Sequence, residues 1–388
     1  MSEWKEYRLK DLCSRLSSGK NIAASRISDT GAYPVYGGNG LRGYTDDSNF
    51  EGACALIGRQ GAYCGNVRYF SGKGYMTEHA VVLCGNELSD SRFLSYYLSL
   101  QDLGRLSSQS AQPGLSVKVL GEEVFSVPDL PTQRRIAAVL GALDDKIENN
   151  RKICENLEAQ AQALFKSWFV DFEPWGGKMP EEWKKGKLGD LAECNPFRRL
   201  PKGVDARCVE MADLVTNGAF PSGWSTKKYT GGMKFRNGDT IVARITPCFE
   251  NGKAAFINFL EEDEVGFGST EYVVISSCSA APGGLFYSLV KSPDFITYAK
   301  SRMVGSSGRQ RFNAEDVASF PLTIAPNNVY LELAPYYESI MEKIAQCGKE
   351  SRALAEMRDA LLPQLMLGRL RVDATACQGE IDVGKVEI

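Results

Sequence analysis

The chain has 388 residues, of which 43% are hydrophobic and 24% are charged, and its net charge is −3. This length predicts two or more domains, and the lack of any run of about 18 apolar residues argues against a membrane span. A single histidine, His79, excludes histidine-based triads and multi-histidine metal centres. The eleven cysteines form no C-x-x-C pair and the N-terminus has no apolar signal core, so we expect a cytoplasmic protein.

The chain repeats itself, and both copies begin with the same pattern. W-K-x-x-x-L-x-D-L stands at 4–12 and again at 183–191. "MTEHAVVL" (76–83) matches "STEYVVI" (269–275), which pairs Glu78 with Glu271, and "LEAQAQALFKSW" (157–168) matches "LAEMRDALLPQL" (354–365). One unit written twice predicts a pseudo-twofold molecule.

Each unit begins with a Gly-rich segment of short strands, which predicts an α+β globular domain. In the first, "GGNGLRG" (37–43) has the spacing of a dinucleotide-binding fingerprint, but a turn-and-strand pattern follows it, so we predict a Gly-rich hairpin or loop. His79 lies in "TEHAVVL", and we interpret it as a partly buried strand residue.

Two further segments partly match catalytic motifs, but neither match predicts an active site. "NPF" (195–197) contains part of the N-P-P-[YF] motif of adenine methyltransferases but lacks one proline, so we predict a loop there. Pro128-Asp129 followed by Asp144-Asp145-Lys146 has the spelling of a PD-(D/E)xK nuclease. Asp144 and Lys146 fall on a predicted helix, however, where they would not converge on a metal with Asp129.

Each unit ends in a long helix with apolar residues at alternating spacings of three and four. This a/d seam predicts that the two helices form an intramolecular coiled coil, which we expect to be antiparallel, since that orientation separates the globular domains most. Ordinary helices packed on a larger core are the alternative. Asn150 would set the register, and only Arg358 breaks the second seam. The predicted seam and docking residues are Leu140, Leu143, Ile147, Asn150, Leu157, Leu164, Trp168, Ile340, Ile344, Leu354, Leu361 and Leu365.

Polar and basic residues at equivalent places in the two copies are candidates for binding nucleic acid. Arg59 and Arg244 each follow an apolar strand, where an arginine can reach a phosphate or a guanine edge, although a surface salt bridge would look the same. Polar segments at 107–120 and 305–317 and a basic segment at 225–238 supply further candidates, with solvated loops as the alternative. These candidates are Gln112, Ser116, Lys118, Lys227, Lys228, Arg309, Gln310, Arg311 and Asn313.

Three segments together resemble the specificity subunits of type I restriction–modification systems. They are "YPVYGGNGLRGYT" (33–45), "TEHAVVL" (77–83) and, above all, residues 131–174, beginning "PTQRRIAAVLGALDDKIENN". The resemblance implies target recognition domains at 1–131 and 173–325, spacer helices at 132–172 and 326–370, and a flexible tail at 371–388.

The resemblance also implies a DNA-binding, non-catalytic subunit. Each recognition domain would read one half of a bipartite, asymmetric site in double-stranded DNA. The coiled coil would set the spacing and dock two methylation subunits, with restriction subunits joining them. S-adenosylmethionine, ATP and Mg²⁺ would belong to those partners, and this chain would hold no cofactor or metal. A stand-alone DNA enzyme and a coiled-coil scaffold without DNA readout are the alternatives.

Overall fold

The structure is a computed structural model that describes residues 4–107, 114–306 and 308–372. It divides into two compact units, the first formed by residues 1–145 with 356–388 and the second by residues 146–355. Both long helices contribute to both units. The domain boundaries implied by the sequence treat the helices as separate segments, and they stay a prediction. In the part of the chain described, no helix is long and apolar enough to span a membrane.

The described residues up to Phe169 form eight strands and three α-helices, the last of which continues into the second unit. In chain order they are β1 (Lys5–Arg8), β2 (Cys13–Ser18), β3 (Tyr33–Gly37), β4 (Gly40–Thr45), β5 (Phe50–Gly58), β6 (Val67–Met76), β7 (Ala80–Gly85), α1 (Ser91–Ser99), α2 (Val117–Glu122), β8 (Val124–Val127) and α3 (Leu130–Phe169). Six strands form one sheet in the order β2-β7-β5-β6-β3-β4, while β1 pairs with β8.

Alternation of apolar residues along the central strands gives this sheet two buried faces. Val81 and Leu83 pack with the α1 side chain Phe93 and with Leu140 of α3. Val82, between them in sequence, packs on the opposite face in a separate cluster. The long helix is therefore part of the first unit's core.

From Lys184 to Met366 the described residues form ten strands and four α-helices, the last of which continues into the first unit. They are β9 (Lys184–Lys187), β10 (Ala192–Cys194), β11 (Asp205–Val209), β12 (Ser225–Lys228), β13 (Met233–Phe235), β14 (Thr240–Ala243), β15 (Ala254–Phe256), β16 (Gly266–Gly268), β17 (Tyr272–Ser277), α4 (Gly283–Val290), α5 (Pro293–Arg302), α6 (Ala314–Ala318), β18 (Pro321–Ile324) and α7 (Asn327–Met366). The sheets run β10-β17-β14-β15 and β12-β11-β16-β13, and β9 pairs with β18.

The strand orders confirm that the two units are similar α+β domains. In each, the first strand pairs antiparallel with the strand that precedes the long helix, β1 with β8 and β9 with β18. In each, the second strand lies beside a central strand, giving β2-β7-β5 in one unit and β10-β17-β14 in the other. The repeated leucines fill equivalent buried places, as Leu9 and Leu188 show.

α3 and α7 pair antiparallel, as predicted. Within the second unit, Asn150 bonds the carbonyl of Cys347 at 3.5 Å, and the Tyr337 hydroxyl donates to the carbonyl of Ala161 at 3.1 Å. Residue numbers therefore rise along α3 as they fall along α7. Among the predicted seam residues, Leu140, Ile344 and Leu365 are fully buried. The others are half-buried, apart from the buried Asn150: Leu143, Ile147, Leu157, Leu164, Trp168, Ile340, Leu354 and Leu361.

Polar pairs interrupt both seams. Arg358, the residue that breaks the apolar pattern, donates from Nη1 to Asp144 Oδ1 at 2.7 Å within the first unit. Asn150 is 1% exposed and donates to Glu350 Oε2 at 2.8 Å, while its own Oδ1 has no hydrogen-bond partner among the described residues. Pro363 lies within the last turn of α7, which continues to Met366.

Candidate nucleic-acid interface

The first candidate site lies at the end of β5 in the first unit. We call it cluster 1, and it consists of Arg59 and the residues bonded to it, Ser18, His79 and Leu115. Arg59 follows β5 directly; its backbone N–H donates to the carbonyl of His79 at 2.9 Å, and its carbonyl accepts from the N–H of Leu115 at 2.8 Å. The guanidinium donates to Ser18 Oγ at 3.2 Å and to the carbonyl of Leu115 at 3.3 Å. Three separate chain segments thus fix this arginine at the end of the central strand β5.

Cluster 2 repeats this arrangement in the second unit, with different side chains. Arg244 follows β14, donates its N–H to the carbonyl of Glu271 at 2.9 Å and accepts from Phe312 at 3.3 Å. The Glu271 carboxylate, 24% exposed, binds Arg311 at 2.8 Å and Arg244 at 3.2 Å. The Glu271 carboxylate therefore orients two arginine side chains. The backbone hydrogen bonds that cluster 2 shares with cluster 1 fix only the main chain.

The charge differs between the clusters. Hydrogen bonding to Arg311 lowers the pKa of Glu271 below its usual value, so the carboxylate stays ionised and partly neutralises its two arginines. In cluster 1 the corresponding residue is His79, whose ring lies 2.9 Å from Gln60 Oε1 and 3.1 Å from Glu78 Oε1. Arg59 has no carboxylate partner among the residues that the structure describes.

Strand register corrects the residue matching made from sequence. Gly58 pairs with Ala80, and Ala243 pairs with Tyr272. Arg59 and Arg244 each follow the first member of these pairs, so Glu271 corresponds to His79. The sequence match of Glu78 with Glu271 is wrong by one residue. His79 itself lies in the turn before β7 and is 43% exposed, so the expectation of a strand position was wrong.

A glycine-rich hairpin packs beside cluster 1. The predicted hairpin is confirmed: β3 and β4 are antiparallel, with Gly38 and Asn39 in the turn. A Cβ on Gly38 would lie 2.7 Å from the carbonyl of His79, so only glycine permits this close approach. Two exposed arginines lie against glycines of this hairpin, Arg42 of β4 beside Gly37 and Arg68 of β6 beside Gly40, and neither has an ion-pair partner among the described residues.

The structure places the other predicted site residues unevenly. Ser116, exposed, follows Leu115 and precedes α2, so it lies at cluster 1. Lys118 is exposed on α2, near Glu122, whose pKa is lowered first by its hydrogen bond to Lys10 and least by the charge of Lys118. Gln112 lies outside the described residues.

In the second unit, Arg309 and Gln310 reach cluster 2 through backbone bonds. Arg311 donates to the Arg309 carbonyl at 3.1 Å, and the Gln310 N–H donates to Thr246 Oγ1 at 3.0 Å. Asn313 caps α6, since its Oδ1 accepts from the N–H of Asp316 at 2.8 Å. Its side-chain carbonyl is therefore already engaged.

Lys227 and Lys228 lie on β12, in the other sheet of the second unit. Lys227 binds Glu210 at 2.5 Å, and Lys228 is exposed opposite Asp205. The predicted residues of the second unit therefore lie on two different sheets, since Arg244 follows β14 of the sheet β10-β17-β14-β15.

Sequence reasoning did not name Glu271, Arg42 or Arg68 among the candidate residues. Glu271 carried a detectable signal, because it stands in the repeated "TEYVVI" segment. Arg42 is in the glycine-rich motif, and the pairing of β3 with β4 places its side chain beside Gly37. In the part of the chain described, no group of histidine, cysteine and acidic side chains could hold a metal ion.

Comparison with known proteins shows which family the chain is similar to. The family described as "Type I restriction modification DNA specificity domain" matches residues 1–159. The specificity subunit of the type I restriction enzyme EcoprrI from Escherichia coli is 40% identical over 134 residues, which are 34% of this chain and 33% of that protein. The MjaIX specificity subunit from Methanocaldococcus jannaschii is 26% identical over 317 residues, 73% of this chain and 70% of that protein.

A solved structure supports the same fold. The S subunit of a type I restriction–modification system from M. genitalium superposes with a TM-score of 0.61 at 17% identity, covering 93% of this chain and 96% of that one. The chain is therefore similar in sequence to type I restriction enzyme specificity subunits, and its fold is similar to that of the matched S subunit.

Proposed function

We propose that this chain selects the DNA sequence for a type I restriction–modification enzyme, with each unit reading one half of a bipartite, asymmetric site. The observation that carries the proposal is the occurrence of one backbone scaffold twice, with different side chains. Arg59 and His79 stand in cluster 1 where Arg244 and Glu271 stand in cluster 2. A shared scaffold suits a common way of approaching the duplex, and unlike side chains suit unlike half-sites.

The partners follow from the same proposal. Two methylation subunits would dock on the coiled coil and restriction subunits would join them, supplying S-adenosylmethionine, Mg²⁺ and ATP chemistry. This chain's net charge of −3 provides little general attraction for DNA, so we expect weak DNA binding by the isolated chain and strong binding by the complex.

The half-site assignment is tested by removing one arginine at a time. Arg311→Ala, in a complex with methylation subunits, should change methylation of one half-site only, because Arg311 belongs to cluster 2. Arg59→Ala is the matched variant for the other half-site. Genome-wide mapping of methylated adenines with each variant, and without the gene, gives the result. Equal loss at both halves with each variant would contradict the assignment.

The coiled coil is proposed to set the distance between half-sites. Seven residues added to each of α3 and α7 would lengthen the helices by about 10 Å, or about three base pairs of duplex. The preferred spacer should lengthen accordingly, or binding should fail where helical phase is lost. Seven residues inserted between Gly176 and Gly177, beyond the end of α3, serve as the control. An unchanged spacer after the helix insertion would refute the ruler.

A further inference from the structure

One residue of the second unit is unusually placed for a large apolar side chain. Phe197 is 91% exposed, in the "NPF" segment that follows β10, and this segment has no helix or strand, as predicted. An exposed aromatic ring on a loop ordinarily moves with the loop. Here the residues on both sides are fixed to the protein body.

On the N-terminal side, Asn195 holds the chain to β17. Its backbone N–H donates to the carbonyl of Val274 at 2.7 Å, and its side-chain Oδ1 accepts from the N–H of the same residue at 2.9 Å. Asn195 has a φ of 56°, a left-handed conformation that asparagine tolerates better than most residues.

On the C-terminal side, Arg198 is an internal anchor. Its side chain is 9% exposed and forms a bidentate pair with Asp239, which is 2% exposed, and Nη2 also donates to Ser276 Oγ at 3.1 Å. Separating this buried ion pair would leave an unpaired charge inside the protein, which costs much free energy. The pair therefore holds the loop in one conformation. Phe197 is therefore presented to solvent by a rigid support.

The surroundings of the ring are basic. Lys234 donates to the carbonyl of Arg198 at 2.7 Å, and its Nζ lies 5.8 Å from the centre of the Phe197 ring. Arg199 follows in sequence, exposed, and has no ion pair among the described residues. Lys234 also lies 5.2 Å from the ring of Tyr229, next to the exposed Lys228. An apolar tip flanked by cations complements a polyanion with stacked, apolar bases.

The tip lies within reach of the same half-site as cluster 2. Asp239, which anchors Arg198, precedes β14, and Arg244 follows it. The four residues of β14 separate them, so five rises of extended chain span roughly 16 Å. That distance is about half of one duplex turn.

We propose that Phe197 is a DNA wedge, inserting between adjacent bases of the half-site read by the second unit. The inference deepens the proposed function and depends on it. The rigid support places the ring without an entropic penalty on binding, and Lys234 contacts the phosphate beside the opened step. The Lys227–Lys228 strand, which lies in a different sheet from β14, is then part of the surface around this wedge.

The test uses the full chain in complex with its methylation subunits and target duplexes carrying 2-aminopurine at each step of the second half-site. Wild-type complex should raise the fluorescence at one step, since unstacking relieves quenching. Phe197→Ala should abolish that rise and weaken target binding about tenfold to hundredfold, the range for losing one base–aromatic stack. Phe197→Leu should retain part of the rise, because a leucine can still wedge.

Leu41→Ala, which removes an exposed apolar side chain from the first unit, is the matched control and should leave the signal in the second half-site unchanged. Wild-type fluorescence and binding in the Phe197→Ala complex would overturn the wedge. Failure of that variant to assemble with methylation subunits, at unchanged thermal stability, would also overturn it and assign Phe197 to a protein contact. Failure of the proposed function itself would be separate: the wild-type complex would not distinguish target from random DNA.

Discussion

Glu271 controls the charge of cluster 2, and Glu271→Gln tests this directly. The substitution preserves the shape of the side chain and removes its negative charge. Arg311 and Arg244 would then present about one additional net positive charge to DNA. Each neutralised phosphate contributes about 0.9 to the slope of log affinity against log salt. The slope should therefore steepen by about 0.9, which means about threefold more affinity lost between 50 and 200 mM salt.

Specificity should change in the opposite direction from low-salt affinity. In the glutamine variant Oε1 can still accept from Nε and Nη2 of Arg311, but without the assistance of a negative charge, and the amide NH2 that replaces Oε2 cannot accept from either arginine, so their orientation is less firmly fixed. Discrimination against base changes in the second half-site should fall, by about 1–3 kcal/mol if one bidentate base contact is lost. The first half-site should be unaffected.

The assay is a salt titration of binding to target and half-site-mutant duplexes by the assembled complex. Glu261→Gln is the matched control, since Glu261 also accepts from an arginine, Arg207, at 2.7 Å, in the same unit but outside cluster 2. An unchanged slope and unchanged discrimination in Glu271→Gln, or equal changes in the control, would refute the reasoning.

Three further substitutions test the hairpin turn, the pairing of the long helices and a buried carboxyl group. Gly38→Ala should selectively weaken reading of the first half-site, because the added Cβ meets the His79 carbonyl at 2.7 Å; competition binding with half-site mutants checks this. Asn150→Leu should raise unfolding free energy by about 1–3 kcal/mol, since it removes a buried unsatisfied oxygen, yet loosen helix register, which chemical unfolding and hydrogen exchange would measure. Burial raises the pKa of Glu158, so its contribution to stability falls as pH rises above the unfolded pKa of about 4.3. Glu158→Gln should therefore gain stability relative to wild type from pH 4.3 upward in thermal melts; a constant difference would contradict this.

The sequence alone determined the duplication, the α+β class and the pairing of the two long helices. Each of these follows from a pattern that is visible in the sequence itself, either the repeat of one unit or the regular spacing of apolar residues. Apolar residues spaced three and four apart need a partner helix, and two such helices in one chain provide it. Glycines in "GGNGLRG" likewise predict a tight turn, which the β3–β4 hairpin confirms. Arg358 had no sequence explanation until its pairing with Asp144 was visible.

Only the tertiary structure decided which side chains share a surface. Strand register brings together Arg244, Glu271 and Arg311, which come from three distant segments. A slip of one residue would turn the side chains of a strand to the opposite face of the sheet. Phe197 is a wedge candidate because the buried pair of Arg198 with Asp239, 41 residues away, holds the ring in solvent. Spacing in sequence carries local periodicity, whereas long-range pairing depends on the register and packing of whole strands, so the reading surfaces emerge only in the folded chain.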